Sequence, residues 1–163
     1  MPSRLADMPR LLIVHHTPSP ALQEMFEAVV SGARTDEIEG VEVVIRPALT
    51  AAAVDVLEAD GYLLGTPANI GYMAGALKHF FDGIYYPCLE ATRRRPYGLY
   101  VHGASDTTGA VRAVESIATA WAGARSARRS PSPGRQPSRT WKPAGSWALC
   151  SRPRSRGNRG PDT

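Results

Sequence analysis

The sequence predicts an α/β fold with a parallel β-sheet, and three observations carry that prediction. Short apolar runs such as Leu11–Val14 and Tyr62–Gly65 are bounded by Gly, Pro or polar residues, as buried strands are. Each run is followed by a polar loop and then by apolar residues at helical spacing. The chain of 163 residues is 43% hydrophobic, which suits one globular core.

The first strand is predicted at Leu11–Val14, a continuous aliphatic run typical of a central strand that is buried on both faces. The loop from His15 to Pro20 follows, and a helix begins at Ala21 and ends at Gly32. Free backbone N–H groups and the helix dipole at such a junction favour phosphate. The apolar face of this helix is Leu22, Met25, Phe26, Val29 and Val30.

Two features of this first loop leave its role open. Thr17 and Ser19 supply hydroxyl groups, but Pro18 and Pro20 have no backbone N–H to donate. The alternative to a phosphate site is an ordinary loop that is stiffened by proline. The pair His15 and His16 does not predict a metal site, because adjacent residues on a strand point to opposite sides.

The remaining elements follow in the same alternation. A second strand is predicted at Val41–Ile45, and a short helix at Ala51–Ala59 whose acidic residues form a solvated face. The strand at Tyr62–Gly65 leads into a Gly- and Pro-containing loop from Thr66 to Tyr72. The next elements are a helix with the apolar face Met73, Leu77, Phe80, Phe81 and Ile84, a connection from Ile84 to Pro87, a strand at Tyr97–Val101 and a helix that begins near Thr108.

A family resemblance rests on the stretch Gly65-Thr-Pro-Ala-Asn-Ile-Gly-Tyr-Met-Ala-Gly-Ala-Leu-Lys-His-Phe-Phe-Asp82. It resembles the second flavin loop of the flavodoxin-like superfamily, most closely that of NAD(P)H-dependent FMN reductases and quinone oxidoreductases. The first loop and the loop that begins at His102 also fit, so the resemblance covers roughly residues 10 to 119. It implies a flavodoxin-like three-layer α/β/α sandwich with a parallel sheet.

The resemblance also implies the residues of an FMN site. The first loop corresponds to the phosphate loop, the second to the loop beside the ring, and the third to the opposite edge of the ring. The alternatives are a proline turn before a core helix for the second loop and simple helix capping for the third. The implied cofactor-binding residues are His16, Thr17, Ser19, Thr66, Pro67, Ala68, Asn69, Ile70, Gly71, Tyr72, His102, Gly103, Ser105, Asp106 and Thr107, with no catalytic side chain and no metal ligand.

The pattern of strands and helices stops near residue 120. Residues 1–120 hold 9 Lys and Arg against 14 Asp and Glu, whereas residues 121–163 hold 10 against 1. The tail is rich in Arg, Ser and Pro, a composition that does not fold alone. We therefore expect residues 1–9 to be an extension, 10–119 an incomplete domain without its last strand and helix, and 120–163 a disordered or frameshifted tail. With suitable synonymous codons, a shift of one base near codon 119 or 120 would turn part of the tail into an amphipathic helical sequence.

The predicted function is an FMN-binding oxidoreductase that reduces flavin or quinone-type acceptors with NADH or NADPH. The alternatives are a flavin-binding electron carrier without substrate turnover, a non-functional frameshifted product, and nucleic-acid binding through the basic tail. Cys88 and Cys150 form no disulfide framework, so we expect a cytoplasmic protein. The resemblance implies a homodimer or tetramer, and we expect no nucleic-acid or membrane partner.

Overall fold

A computed structural model describes residues 8–35, 38 and 40–121 of the chain. Strands and helices alternate through most of this part, as predicted. The elements are β1 (Arg10–His15), α1 (Pro20–Ala33), β2 (Glu42–Pro47), α2 (Ala53–Glu58), β3 (Gly61–Asn69), β4 (Tyr72–Met73), α3 (Gly75–Cys88), β5 (Tyr97–His102) and α4 (Thr108–Trp121).

Four parallel strands form the sheet in the order β2-β1-β3-β5. In the register, Leu12 of β1 lies opposite Val44 of β2 and Tyr62 of β3. All four residues from Leu11 to Val14 are buried, which confirms that β1 is a central strand. Because the strands run in the same direction, their carboxyl ends meet at one edge of the sheet, where ligands bind in open α/β folds.

Helices cover both faces of the sheet, as a three-layer sandwich requires. One face packs against α2, α3 and α4, and its core includes Leu64, Phe80 and Trp121. The other face packs against α1, and its core includes Ile13, Leu22 and Tyr100. The predicted apolar faces of α1 and α3 both point into these cores. All five residues of the predicted face before and within α3 are buried, with Met73 in β4 and the other four in α3: Leu77, Phe80, Phe81 and Ile84.

Strand β3 is longer than the sequence predicts. The predicted strand ends at Gly65, but β3 continues to Asn69 and then turns back into β4. The extension is held by parallel pairing of Thr66 with Val101 and of Pro67 with His102. Tertiary pairing therefore overrides the local turn chemistry of Gly and Pro, and the predicted loop from Thr66 to Tyr72 is largely a strand and a hairpin.

Two helix boundaries also differ from the prediction. Helix α3 does not end at Ile84; it continues through Pro87 to Cys88, where it buries the Cys88 side chain. Helix α2 is shorter than predicted, and of its larger apolar residues Val56 is buried while Val54 and Leu57 are 58% and 40% exposed. Short helices with few buried residues give a weak periodic signal, which explains the overestimated length.

Arg95 is the last residue of a basic run, Arg93–Arg95, in the connection between α3 and β5. In the structure its guanidinium donates to the carbonyl oxygens of Val56, Leu57 and Ala59 at 2.7 to 3.0 Å. It therefore caps the carboxyl end of α2, where cations are favoured. Arg95 ties α2 to the start of β5, so it serves the fold instead of a ligand.

Helix α4 runs to Trp121, where the description of the chain ends. Within residues 8–35, 38 and 40–121, β5 pairs with β3 alone and its other edge has no strand partner. Most of the predicted N-terminal extension and of the predicted tail lies outside the described residues. None of the helices in the described part has the length and apolar character needed to span a bilayer.

Candidate functional site

The three loops predicted to bind a cofactor lie together at the carboxyl edge of the sheet. The backbone N–H of His16, just after β1, donates to the carbonyl of Gly65 in β3 at 3.0 Å. On the other side of β3, Pro67 lies opposite His102, the last residue of β5. The first, second and third loops are therefore neighbours in space, although about 85 residues separate the first from the third.

The first loop is shaped by its two hydroxyl side chains. Ser19 is the N-cap of α1, and its Oγ accepts from the N–H of Leu22 at 3.4 Å. Thr17 Oγ1 lies 2.8 Å from His15 Nδ1. Because capping uses only an acceptor site, the Ser19 hydroxyl proton is still available to a ligand. Proline at the first position of α1 removes no hydrogen bond that the helix needs.

Thr66 sits at the base of the second loop and is fully buried. Its Oγ1 accepts from the N–H of Ala74 at 3.0 Å and donates to the carbonyl of Pro67 at 3.0 Å. Both of its hydrogen-bonding roles are therefore satisfied within the protein. Thr66 and the buried Pro67 form the base of the hairpin, while Asn69 and Ile70 at its tip are exposed.

The tip of the second loop is a hairpin with Asn69 and Tyr72 paired and two residues between them. Ile70 has φ 51° and Gly71 has φ 74°, so both central residues have positive φ, as a type I′ turn requires. Asn69 is exposed, Tyr72 is about half exposed, and Ile70 is fully exposed. The amide and the aromatic ring that the sequence assigns to a flavin ring are thus open to solvent.

Ile70 is in a conformation that a β-branched residue rarely adopts, at a cost of about 1–2 kcal/mol. We expect Ile70→Asn to raise the free energy of unfolding by about 1 kcal/mol, because Asn tolerates this region and Asn-Gly suits the turn. Leu49→Asn is the control, since Leu49 is also exposed but has no positive φ. Urea unfolding of both variants measures the difference, and equal effects would contradict the strain.

The third loop touches the hairpin. A Cβ on Gly103 would lie 2.9 Å from the Cβ of Ala68, so this part of the loop approaches the hairpin closely. The oxygen Oδ1 of Asp106 accepts from the N–H of Thr108 at 2.9 Å, and hydrogen bonds from Thr108 lower the pKa of Asp106. The carbonyl of Thr107 accepts from Val111 at the start of α4. Helix capping is therefore present, while Ser105 remains exposed.

One contact of the site is absent from the sequence-based residue set. Gly109, the second residue of α4, lies against the carbonyl of Gly71 so closely that a Cβ at Gly109 would overlap it. This contact packs the start of α4 against the hairpin. Sequence patterns assign a glycine at the start of a helix to a loop, so no local pattern predicts the contact between Gly109 and Gly71.

The residues present fit a planar cofactor that carries an anionic group. The first loop offers two hydroxyls at the start of a helix, where anions are favoured. The hairpin adds an exposed amide and ring, and Asp106, whose carboxylate is held by Thr108, is the one acidic side chain among the predicted site residues. Within the described part of the chain, no group of three His, Cys, Asp or Glu residues is placed to hold a metal ion.

Comparisons with known proteins agree with this architecture. No protein-family model matches the chain. The crystal structure of the flavodoxin, WrbA-like protein from Agrobacterium tumefaciens superposes with a TM-score of 0.54, covering 74% of this chain and 77% of that chain at 17% identity. This chain has a flavodoxin-like fold. The predicted fold class is therefore confirmed.

Two curated proteins match part of this flavodoxin-like chain in sequence. A flavodoxin of Aquifex aeolicus (strain VF5) is 36% identical over 77 residues, which are 47% of this chain and 40% of that protein. An NAD(P)H dehydrogenase (quinone) of Acidithiobacillus ferrooxidans (strain ATCC 53993 / BNL-5-31) is 32% identical over 95 residues, with 46% of each chain covered. The chain thus matches less than half the length of each curated relative.

Proposed function

We propose that this chain binds FMN non-covalently and reduces a flavin or quinone-type acceptor with NADH or NADPH. The observation that carries the proposal is the meeting of the three loops at the carboxyl ends of β1, β3 and β5. The first loop places hydroxyl groups at the start of a helix, which suits an anion. The second loop presents an exposed amide and aromatic ring on its hairpin, and the third loop borders that hairpin. The partial matches to a flavodoxin and to a quinone dehydrogenase support the same chemistry.

Each loop has a distinct part in the proposed site. Thr17 and Ser19, with the backbone beside His16, would hold the phosphate at the start of α1. Asn69 and Tyr72 would contact the isoalloxazine ring from the exposed side of the hairpin. The third loop would bound the opposite edge of the ring with the following residues: His102, Gly103, Ser105, Asp106 and Thr107.

The protein's contribution to the reaction is binding and orientation. When bound, a flavin supplies the hydride chemistry itself through its N5 position. No acid, base or nucleophile is needed from the side chains, which agrees with a site whose described residues are mainly hydroxyl, amide and backbone groups. The donors that the loops provide would fix the ring and leave one side of it open to an acceptor.

Titration of the purified chain with FMN, followed by quenching of flavin fluorescence, tests the proposal. We expect saturable binding, and Asn69→Ala should weaken it about five- to tenfold, because it removes one side-chain amide contact. Ser116→Ala, on the exposed side of α4, is the control and should leave the affinity unchanged. A chain that is folded by circular dichroism but binds no FMN would overturn the proposal.

A flavin-binding electron carrier is the second candidate, and the match to the Aquifex flavodoxin is the observation that favours it. The two candidates differ in their reaction with nicotinamide. Stopped-flow mixing of the FMN-loaded chain with NADH or NADPH should bleach the flavin absorbance rapidly if the chain is a reductase. Bleaching only by a chemical reductant would favour the carrier.

The proposed oxidoreductase also includes a homodimer or tetramer, a cytoplasmic setting and a domain at residues 10–119.

A further inference from the structure

Tyr100 carries a buried hydroxyl group that makes no hydrogen bond. The residue is 5% exposed, and its Oη has no partner. Two other buried tyrosines of the same sheet do have partners: Tyr62 donates to the carbonyl of Val56, and Tyr97 bonds Thr119. A buried hydroxyl without a hydrogen-bond partner lowers the stability of the fold, so its presence calls for an explanation.

The Tyr100 hydroxyl lies on a row of three residues that crosses the sheet. Gly65 of β3 stands opposite His15 of β1 on one side and opposite Tyr100 of β5 on the other. A Cβ on Gly65 would overlap the ring and the hydroxyl of Tyr100. The Tyr100 side chain therefore lies over Gly65 and reaches across β3 towards β1. The absence of a side chain at Gly65 makes this reach possible.

His15 stands at the other end of this row, on the same face of the sheet. Its ring stacks on Phe26 of α1 with centroids 4.2 Å apart, and Tyr100 belongs to the cluster that packs against α1. Burial, and to a lesser extent the neighbouring His16, lowers the pKa of His15. The imidazole is therefore neutral near pH 7, and only one of its two nitrogens carries a proton.

The contact between His15 and Thr17 has two forms, which differ in their effect on an anion. If Nδ1 carries the proton, Thr17 Oγ1 accepts at 2.8 Å and keeps its own proton for a ligand. If Nε2 carries the proton, Thr17 must donate to Nδ1 and can offer a ligand only lone pairs. Only the first form suits a negatively charged group in the loop.

We propose that Tyr100, His15 and Thr17 act as a relay that turns the Thr17 hydroxyl proton towards an anionic oxygen in the first loop. When an anion occupies the loop, the Tyr100 hydroxyl donates to His15 Nε2, which keeps the proton of the imidazole on Nδ1. Tyr100 and His15 are positioning residues, because neither touches the ligand. The inference rests on the proposed function, in which that anion is the phosphate of FMN.

The test compares FMN with riboflavin, which has the same ring but no phosphate. Tyr100→Phe should lower the ratio of FMN affinity to riboflavin affinity about five- to tenfold, since it removes one neutral hydrogen bond from the relay. His15→Gln should do the same, whereas His15→Asn, whose amide N–H replaces Nδ1, should retain more of the ratio. In a Thr17→Val background, Tyr100→Phe should have no further effect on the ratio.

The stability of the variants separates this role from packing. Tyr100→Phe removes only a hydroxyl without a partner, so the free energy of unfolding of the chain without flavin should not fall. Equal loss of FMN and riboflavin affinity in Tyr100→Phe would overturn the relay and leave the flavin site standing. A wild-type chain that binds neither flavin would overturn the proposed function, and the relay with it.

Nitrogen NMR of His15 should show the Nδ1-protonated tautomer in the FMN-bound chain.

Discussion

Replacing Trp121 by alanine is expected to lower the free energy of unfolding by about 3–5 kcal/mol, the usual cost of truncating a buried tryptophan. Trp121 is fully buried at the end of α4. Its ring lies 4.7 Å from that of Tyr62 and meets Phe80 and Phe81 edge-on at 6.4 and 6.1 Å. The side chain therefore joins α4, α3 and the sheet. Urea unfolding followed by circular dichroism measures the loss.

Two further variants show whether the loss of stability comes from the buried aromatic ring. Trp121→Phe should cost much less, because it keeps an aromatic ring and removes an indole N–H that is buried without a partner. Ser116→Ala, on the exposed side of the same helix, should change stability by less than about 0.5 kcal/mol. A Trp121→Ala variant as stable as wild type would show that the Trp121 side chain does not pack in the core in solution.

Replacing Gly109 by alanine is expected to damage both the fold and the proposed flavin site. The new Cβ would overlap the carbonyl of Gly71, and both groups are backbone-held, so α4 and the hairpin must separate. We expect a loss of about 1–3 kcal/mol in stability from overpacking. FMN affinity should fall by roughly tenfold or more, because the hairpin would no longer be held in position for binding. Fluorescence titration and urea unfolding measure the two effects.

Gly83→Ala is the matched control for this substitution. Gly83 also lies within a helix, α3, but a Cβ there would meet nothing within 4 Å. We expect it to raise the free energy of unfolding by about 0.5–1 kcal/mol through helix propensity. If Gly109→Ala stabilised the chain to the same extent, the contact between α4 and the hairpin would not exist in solution.

Much of the fold follows from the hydrophobic pattern. The run Leu11–Val14 identifies the central strand, and the spacing of Leu77, Phe81 and Ile84 identifies a core helix, because burial on one or two faces leaves a clear period. The end of β3 cannot be predicted from the hydrophobic pattern. Gly65 and Pro67 favour a turn locally, and only pairing with β1 and β5 keeps them extended. Arg95 is similar, since its carbonyl partners lie 36 to 39 residues away.

The candidate site is predictable only in part. Polar residues that follow predicted strands indicate the loops, because parallel strands bring such loops to one edge of the sheet. Sequence patterns do not distinguish Thr66, whose hydroxyl is used inside the protein, from Asn69, which is exposed three residues later. The contacts of Gly109 with Gly71 and of Tyr100 with Gly65 depend on distances between elements that are remote in the chain.

The position of β1 has a consequence for how the chain acquires its structure during synthesis. Among the described strands, β1 leaves the ribosome before both of its partners, β2 from residue 42 and β3 from residue 61. Until β3 has emerged, the aliphatic run of β1 has one open side and no second sheet neighbour. β1 therefore waits until about half of the described chain has been made, and its aliphatic side chains are exposed to other molecules in the meantime.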